Sequence, residues 1–170
     1  ENALTEMQTK GGGMIVELNV SLGTFDGAMK YRTGGTWGDR IAPLLVFSTM
    51  TTASEVMMSG ESAEETGTVM NALPFIAQGG AGSPRLVMSR MRITGNSDTP
   101  GVTITDNAIT IIRDCVFDGN AGGAVRITSG KLEISGSIFL NNGKKDTDGG
   151  ALQLLGGTIE VLASTFEGNV

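Results

Sequence analysis

The second half of the chain contains an internal repeat, and this repeat constrains the fold more than any other feature. Four times, an apolar residue is followed three positions later by asparagine, in Ile93–Asn96, Phe117–Asn120, Phe139–Asn142 and Phe166–Asn169. The four asparagines are 24, 22 and 27 residues apart. A unit of this length cannot bury an apolar face alone, so successive units have to stack on one another.

The residues before each asparagine also repeat in register, and they alternate in steps of two, as in short strands with one buried face. The rows that lie ten, eight and five positions before asparagine are Leu86, Thr110, Leu132 and Ile159; Met88, Ile112, Ile134 and Val161; and Met91, Cys115, Ser137 and Ser164. A step of three between the last two rows predicts a bend between two strands. A third strand follows a glycine pair in 122–127 and in 149–154, and Val102 and Ile104 take its place one unit earlier.

Three short strands per unit of about 22–27 residues, without a helical period, predict an all-β chain that forms a parallel β-helix. The general rule for parallel crossovers makes it right-handed. Like positions in successive coils then stack about 4.8 Å apart. We expect an inner column of Ile93, Phe117, Phe139 and Phe166, and an amide ladder of Asn96, Asn120, Asn142 and Asn169.

Two residue types suit the corners of such a coil. Asparagine tolerates the left-handed backbone that a corner needs, which is a second reason to expect it there. The turn glycines Gly122, Gly123, Gly149 and Gly150 remove Cβ where the chain enters the third strand.

The chain divides into three predicted regions. Residues 1–40 are expected to hold an N-terminal cap and first strands, because an uncovered first coil exposes its strand edges. Residues 41–83 are predicted to form irregular β-helix coils. Residues 84–170 form the regular repeats, and no further strand follows Asn169, so the C-terminal end is expected to be uncapped. Further strands are expected at 14–20, 44–47, 55–60 and 73–76, a polar loop or helical turn at 61–66, and an exposed loop at 143–148.

The composition excludes several classes of function. The chain has no histidine, which removes histidine–metal sites and histidine-dependent nucleophiles. Cys115 is the only cysteine, so no internal disulfide forms, and its place in an inward row predicts a buried small side chain. The net charge of −6 argues against nucleic acid as a partner. No apolar run is long enough for a transmembrane helix.

Carboxylates are the remaining candidates for catalysis or metal binding, because β-helices include polysaccharide lyases and hydrolases. Asp106, Asp114 and Asp118 with Arg113 and Arg126 would be the groups involved, but they fall at different strand and corner positions. Solvated turns are the favoured interpretation. We therefore predict no catalytic residue, no cofactor and no metal site.

Two further features are noted as minor alternatives. Asp146 and Asp148 together with Asp118 are a weak candidate for a calcium site. Asn19, in Asn19-Val20-Ser21, is a candidate for glycosylation if the host is a secreting eukaryote.

The pair of signatures Phe-x-x-Asn and Gly-Gly-Ala-(Val/Leu) resembles the repeats of the polymorphic outer-membrane protein family, of the chlamydial type. The resemblance is carried by 117–120, 122–125, 139–142, 149–152 and 166–169, with 86–96 as a lead-in coil in which isoleucine replaces phenylalanine. It implies a secreted or cell-surface protein with roles in adhesion and surface display, and no catalytic residues.

The leading hypothesis is a non-enzymatic, extracellular structural or adhesive module. Its partners would be further copies stacked head to tail into a surface fibre, or the continuation of a longer chain, with a surface glycan or protein as ligand. The alternative is a carbohydrate-binding or carbohydrate-cleaving β-helix protein, which outward carboxylates aligned across three coils beside a groove would favour. A third hypothesis, a phage or viral fibre segment, predicts a trimer.

Overall fold

The computed structural model describes residues 15–20, 23–26, 32–33, 36–37, 45–46, 55–72, 74–79, 85–146 and 148–170. Of residues 1–40, predicted to hold an N-terminal cap and first strands, the structure describes 15–20, 23–26, 32–33 and 36–37. The described residues form strands and turns, without a helix. The strands in chain order are β1 (Ile15–Val20), β2 (Gly23–Asp26), β3 (Arg32–Thr33), β4 (Thr36–Trp37), β5 (Leu45–Val46), β6 (Glu55–Gly60), β7 (Thr68–Asn71), β8 (Phe75–Gln78), β9 (Arg85–Ser89), β10 (Arg92–Thr94), β11 (Val102–Thr105), β12 (Ile109–Arg113), β13 (Val116–Asp118), β14 (Val125–Ile127), β15 (Lys131–Ser135), β16 (Ile138–Leu140), β17 (Leu152–Leu154), β18 (Thr158–Leu162) and β19 (Thr165–Glu167).

Three parallel sheets wind along one axis. The first sheet has the order β1-β6-β9-β12-β15-β18, the second β2-β7-β10-β13-β16-β19, and the third β5-β8-β11-β14-β17. Successive coils supply strands to each sheet, and each inner strand of a sheet pairs in parallel with its equivalents in the coils above and below. Only β3 and β4 pair antiparallel among the described strands. The predicted parallel β-helix is confirmed.

The register of the sheets follows the rows that the sequence predicts. In the first sheet Thr110 lies between Leu86 and Leu132, and Ile112 lies between Met88 and Ile134. The third sheet aligns Phe75, Val102, Val125 and Leu152. The strands predicted at 14–20, 44–47, 55–60 and 73–76 correspond to β1, β5, β6 and β8. Because β1 and β2 pair with β6 and β7, the stacked coils include strands within residues 1–40.

The inward rows form one continuous core. Phe75, Ile93, Phe117 and Phe139 are fully buried, as are the aliphatic residues beside them. Burial declines towards the last coil, where Ile159 is partly buried and Phe166 is 43% exposed. The core therefore runs through the middle coils and opens at the C-terminal end.

The corners correct one prediction about the asparagines. Left-handed backbone occurs at the residue before each ladder asparagine, in a column made of Gly95, Gly119, Asn141 and Gly168. The ladder asparagines themselves do not have positive φ. Their tolerance of left-handed backbone is therefore not the reason for their position. Their side-chain hydrogen bonds supply the reason.

The turn glycines serve two different purposes. Gly123 and Gly149 have φ of +98° and +71°, a region that glycine enters without strain. On Gly122 a Cβ would lie 2.3 Å from the carbonyl oxygen of Thr99, and on Gly150 it would lie 2.3 Å from that of Val170. Glycine is required here because another backbone segment approaches closely.

Two loops project from the side of the solenoid. Between β6 and β7 the chain makes a polar loop with turns, where Glu61, Glu64 and Glu65 are exposed. The predicted exposed loop at 143–148 is confirmed for Lys144, Lys145, Asp146 and Asp148. Both loops lie at corners, where extra residues do not interrupt a sheet.

Candidate functional site

The four asparagines form a hydrogen-bonded column at one corner of the solenoid. The Nδ2 of each asparagine donates to the Oδ1 of the next one, at 2.9 Å in all three steps from Asn96 to Asn169. The same Nδ2 atoms of Asn120, Asn142 and Asn169 also donate to a backbone carbonyl of the preceding coil, at 2.9 Å. Each Oδ1 in turn accepts the backbone N–H of the preceding asparagine. Buried amides are thus satisfied only while adjacent coils stay in register.

Phenylalanine rings stack beside this ladder. The ring centroids of Phe117 and Phe139 are 4.9 Å apart, and those of Phe139 and Phe166 are 4.8 Å apart, with planes parallel to within 3°. These separations match the spacing between strands. Ile93 occupies the same row one coil earlier. One face of the Phe166 ring has no aromatic neighbour within the described chain.

A second polar column lies at the opposite end of the same strands. The backbone N–H of Cys115 donates to Ser137 Oγ, and that of Ser137 donates to Ser164 Oγ, each at 3.2 Å. The thiol of Cys115 donates to the carbonyl of Arg113 in the way that the two hydroxyls donate within their own coils. Burial raises the pKa of the Cys115 thiol to about 12, so it stays protonated at neutral pH. The predicted buried small side chain is confirmed.

The last coil presents an apolar end, which we call the terminal face and define as β17, β18 and β19. Each of these strands is the last member of its sheet, so one backbone edge has no strand partner among the described residues. Four of the eight exposed large apolar side chains in the described residues lie in these strands, namely Leu154, Val161, Leu162 and Phe166, and two more, Leu155 and Val170, follow β17 and β19. An apolar surface with open strand edges is suited to pairing with another β-coil.

A second candidate surface is a lateral groove of about 420 Å³ beside the second sheet. Its apolar part is made by Val116, Ile138 and Leu140, and its charged part by Glu61, Glu64, Arg90, Arg92 and Asp114. The loop between β6 and β7 contributes the two glutamates. The sequence patterns did not identify this groove, because it depends on a loop that projects beside strands of later coils. The long insertion between β6 and β7 is the sequence feature that could have indicated this groove.

The two arginines of the groove are held by neighbouring side chains. Arg92 Nη1 lies 2.7 Å from Asp118 Oδ2, in an ion pair that links β10 to β13. Its Nε is buried and has no hydrogen-bond partner in the part of the chain that the structure describes. Arg90 Nη2 donates to Ser59 Oγ at 2.7 Å.

The sequence-predicted carboxylate and arginine candidates are not brought into one cluster. Asp114 lines the groove, while Asp118 pairs with Arg92. Asp106 lies at the corner that follows the third sheet, and Arg126 hydrogen-bonds Gln153 on the outer face of that sheet. Within the described ranges, no three carboxylate, thiol or imidazole groups gather closely enough to hold a metal ion. Asp118, Asp146 and Asp148, the candidate calcium ligands, are therefore not gathered into such a cluster.

Asn19 lies in β1, where its backbone position pairs with Ser59 of β6. Its side chain is outside the described residues, so glycosylation stays a prediction.

Comparison with known proteins agrees with this architecture. Residues 54–169 match a family model described as a right-handed β-helix region, a segment that contains every strand from β6 to β19. No curated protein and no solved structure matches the chain. Among the described residues there is no long apolar helix of the kind that crosses a bilayer. The match covers more than half of the sequence and coincides with the stacked coils, so the chain belongs to the right-handed β-helix family.

Proposed function

We propose that this protein is a non-enzymatic, extracellular structural or adhesive module of the polymorphic outer-membrane protein type. The observation that carries the proposal is the terminal face, where three open strand edges surround an exposed apolar surface. A further coil of the same kind fits there, because its strands would extend all three sheets. That coil belongs either to a second copy or to the continuation of a longer chain.

The internal chemistry supports a scaffold. The amides of the asparagine ladder, the hydroxyls of Ser137 and Ser164 and the thiol of Cys115 hydrogen-bond the next coil or a nearby backbone carbonyl. A thiol with a pKa of about 12 is a poor nucleophile at neutral pH. A rod stabilised by these columns has no need of a disulfide, which suits a chain with one cysteine. Secretion and surface location are proposed from the repeat resemblance.

Electron microscopy with negative stain, together with light scattering, tests the proposal. If copies stack through the terminal face, we expect fibres with a subunit spacing of one solenoid length. Phe166→Asp should abolish them, because it places a charge on the exposed ring position. Ile138→Asp is the matched control, since Ile138 is a similarly exposed apolar residue on the side of the solenoid and should leave fibres intact.

Different results would lead to different conclusions. Fibres that survive Phe166→Asp but not Ile138→Asp would place the contact on the lateral surface instead. Monodisperse monomers at high concentration would contradict fibre formation by this chain and leave the module as part of a longer surface protein. Turnover of a polysaccharide by the purified protein would overturn the non-enzymatic assignment.

The lateral groove favours one alternative, a carbohydrate-binding or carbohydrate-cleaving protein. Its volume of about 420 Å³ is in the range of small-molecule sites, and it combines carboxylates, a guanidinium and an apolar floor. A panel of soluble polysaccharides, assayed for binding by calorimetry and for cleavage by mass spectrometry, tests this function. Binding that is lost in Arg90→Ala and retained in Phe166→Asp would support the groove.

A further inference from the structure

The residue that follows each ladder asparagine differs in one chemically important case. Serine, alanine and valine follow Asn96, Asn120 and Asn169, whereas Gly143 follows Asn142. This is the only Asn-Gly pair in the chain. Because glycine has no side chain, its backbone nitrogen approaches the preceding asparagine amide without steric hindrance. We propose that Asn142 is a latent site of spontaneous deamidation, which the stacking of the coils protects and the opening of the coils exposes.

The reaction needs only water and base. The deprotonated backbone nitrogen of Gly143 attacks Cγ of Asn142 and forms a new C–N bond. The Cγ–Nδ2 bond breaks, and the amide nitrogen takes up a proton and leaves as ammonia. The product is a five-membered cyclic imide, which water opens at either of its two carbonyl groups to give aspartate or isoaspartate. In balance, one water is consumed and one ammonia is released.

Both reacting groups are engaged in hydrogen bonds in the stacked coils. The N–H of Gly143 donates to the carbonyl of Asn120 at 2.8 Å, which holds the attacking nitrogen against the preceding coil. Asn142 Oδ1 accepts from Asn120 Nδ2, and Asn142 Nδ2 donates to the carbonyl of Phe117, both at 2.9 Å. Asn142 is also fully buried, so water and base do not reach its amide.

Each of these protecting contacts joins two coils. Asn120 and Phe117 belong to the coil of β13, whereas Asn142 follows β16 in the next coil. A further bond, from Asn142 Nδ2 to Asn169 Oδ1 at 2.9 Å, holds the same amide to the coil of β19. Motion of the exposed loop at 143–148 therefore does not free the amide. Separation of β16 from the neighbouring coils frees both reacting groups together.

The reactive pair has a structural origin in the loop insertion. Gly143 is the first residue of the exposed loop and has a φ of +87°, a region that glycine enters without strain. At the equivalent corner one coil earlier, Ala121 alone separates Asn120 from the glycine pair, and no such loop is present. The insertion thus introduces a glycine directly after a buried ladder asparagine.

Deamidation would also prevent the ladder from forming again. Aspartate at position 142 lacks Nδ2, so the carbonyl of Phe117 loses this donor. Isoaspartate adds one carbon to the main chain, which shifts the register on which the ladder depends. Refolding does not reverse either change. The modification therefore records, in the covalent structure, that this part of the solenoid has opened.

Peptide mapping by mass spectrometry tests the proposal, because deamidation replaces an NH2 group by OH and raises the peptide mass. The intact protein is incubated at mildly alkaline pH with and without guanidinium chloride. We expect Asn142 to react at least about 100-fold faster in denaturant than in buffer, a factor that corresponds to an opening free energy of about 2.7 kcal/mol. Asn120 is the internal control, since it is equally buried but precedes alanine, and it should react slowly in both solutions.

Two variants of β16 relate the reaction to coil opening. Phe139→Leu removes the ring that stacks between Phe117 and Phe166, and it should raise the rate at Asn142 in buffer by about 10-fold or more. Ile138→Ala is the matched control, because Ile138 is 38% exposed on the other face of the same strand and should leave the rate nearly unchanged.

A third variant tests the chemistry without reference to folding. Gly143→Ala should slow the reaction in denaturant, because the added methyl group hinders attack by the backbone nitrogen. Chains that have reacted in denaturant are then refolded, and they should unfold at a lower urea concentration than unreacted chains.

Each part of the proposal has a result that would overturn it. Equal rates at Asn142 with and without denaturant, or equal effects of Phe139→Leu and Ile138→Ala, would overturn protection by the stacked coils. Equal rates at Asn142 and Asn120 in denaturant, or no effect of Gly143→Ala there, would overturn the Asn-Gly pair as the reactive site. An unchanged urea midpoint after refolding would overturn the effect of the modification on the ladder.

Discussion

Asn120→Asp is the substitution that tests the amide ladder most directly. Asparagine and aspartate have nearly the same shape, so the change does not alter packing. In the protein, Asn120 Nδ2 donates to the carbonyl of Ile93 and to Asn142 Oδ1, both at 2.9 Å. Aspartate keeps the oxygen that accepts from Asn96 but lacks both donors. The buried carbonyl of Ile93 therefore loses this partner, while Asn142 Oδ1 keeps only the backbone N–H of Asn120 as a donor from that residue.

The structure sets the expected magnitude. Leaving one buried acceptor unsatisfied costs about 1–3 kcal/mol. The unsatisfied Ile93 carbonyl gives a loss of about 1–3 kcal/mol in the free energy of unfolding, and Asn120 is fully buried, so water cannot replace the lost donors. A typical domain has a total stability of about 5–15 kcal/mol. The variant should fold with a much reduced stability.

The loss should also depend on pH, and its sign follows from the environment. A buried carboxylate that faces two oxygens is favoured in its protonated form, so its pKa in the folded state rises above the unfolded value of about 3.9. The contribution to stability is then present below that pH and is lost as the pH rises towards the folded pKa. Within this window the difference from the unsubstituted protein should grow by about 1.4 kcal/mol per pH unit.

Urea denaturation followed by circular dichroism at several pH values between 4 and 7.5 measures these effects. Asn169→Asp removes one donated hydrogen bond, to the carbonyl of Phe139, at a partly buried position, so it should cost less and is the variant to use if Asn120→Asp fails to fold. Asn107→Asp is an exposed control with a φ of +62° that aspartate also tolerates, and it should change stability by less than about 0.5 kcal/mol. A loss below about 1 kcal/mol for Asn120→Asp, without a pH trend, would refute the role of the ladder.

Four further substitutions test the core and the corners by the same urea assay. Thr110→Val should stabilise the protein by about 1 kcal/mol, because the buried Oγ1 has no hydrogen-bond partner; destabilisation would contradict this. Cys115→Ser should leave the free energy of unfolding nearly unchanged. The native thiol, with its pKa of about 12, should react with alkylating reagents only after unfolding, and the stability of the unsubstituted protein should fall as the pH rises above about 9. Rapid alkylation of the native protein would contradict the burial of this thiol. Gly122→Ala should lower the free energy of unfolding by about 1–3 kcal/mol, because the new Cβ would meet the backbone. Gly119→Asn should lower it by less, since Asn141 already has left-handed backbone in the same column. Equal losses for the two variants would refute this distinction.

The sequence was sufficient to predict the regular coils, because each coil repeats the same apolar rows at fixed distances from asparagine. Thr110 could be aligned with Leu86 and Leu132 although it is not apolar, since its neighbour Ile112 fixed the register. The sequence also predicts a strand at 73–76, and in the structure Phe75 pairs with Val102 in the third sheet. Register could be predicted here because a slip by one residue would turn every inward side chain outward.

The remaining features depend on contacts that a period does not encode. The left-handed residue is the one before each asparagine, a position filled by glycine or asparagine without a hydrophobic signal. The lateral groove needs the loop from Glu61 to lie beside Arg90 and Ile138, which are distant in sequence. The unpaired hydroxyl of Thr110 is visible only when its surroundings are known.

The amide ladder has a consequence for how such a protein can change over generations. Successive ladder asparagines are separated by 24, 22 and 27 residues, yet each pair meets at 2.9 Å. The number of residues in a coil therefore does not set its rise along the axis. Insertions and deletions at the corners alter what the rod displays on its sides without changing its length or disturbing the coils above and below. Changes in sequence at the corners can therefore vary the lateral surface, while the hydrogen bonds between coils keep the axial spacing constant.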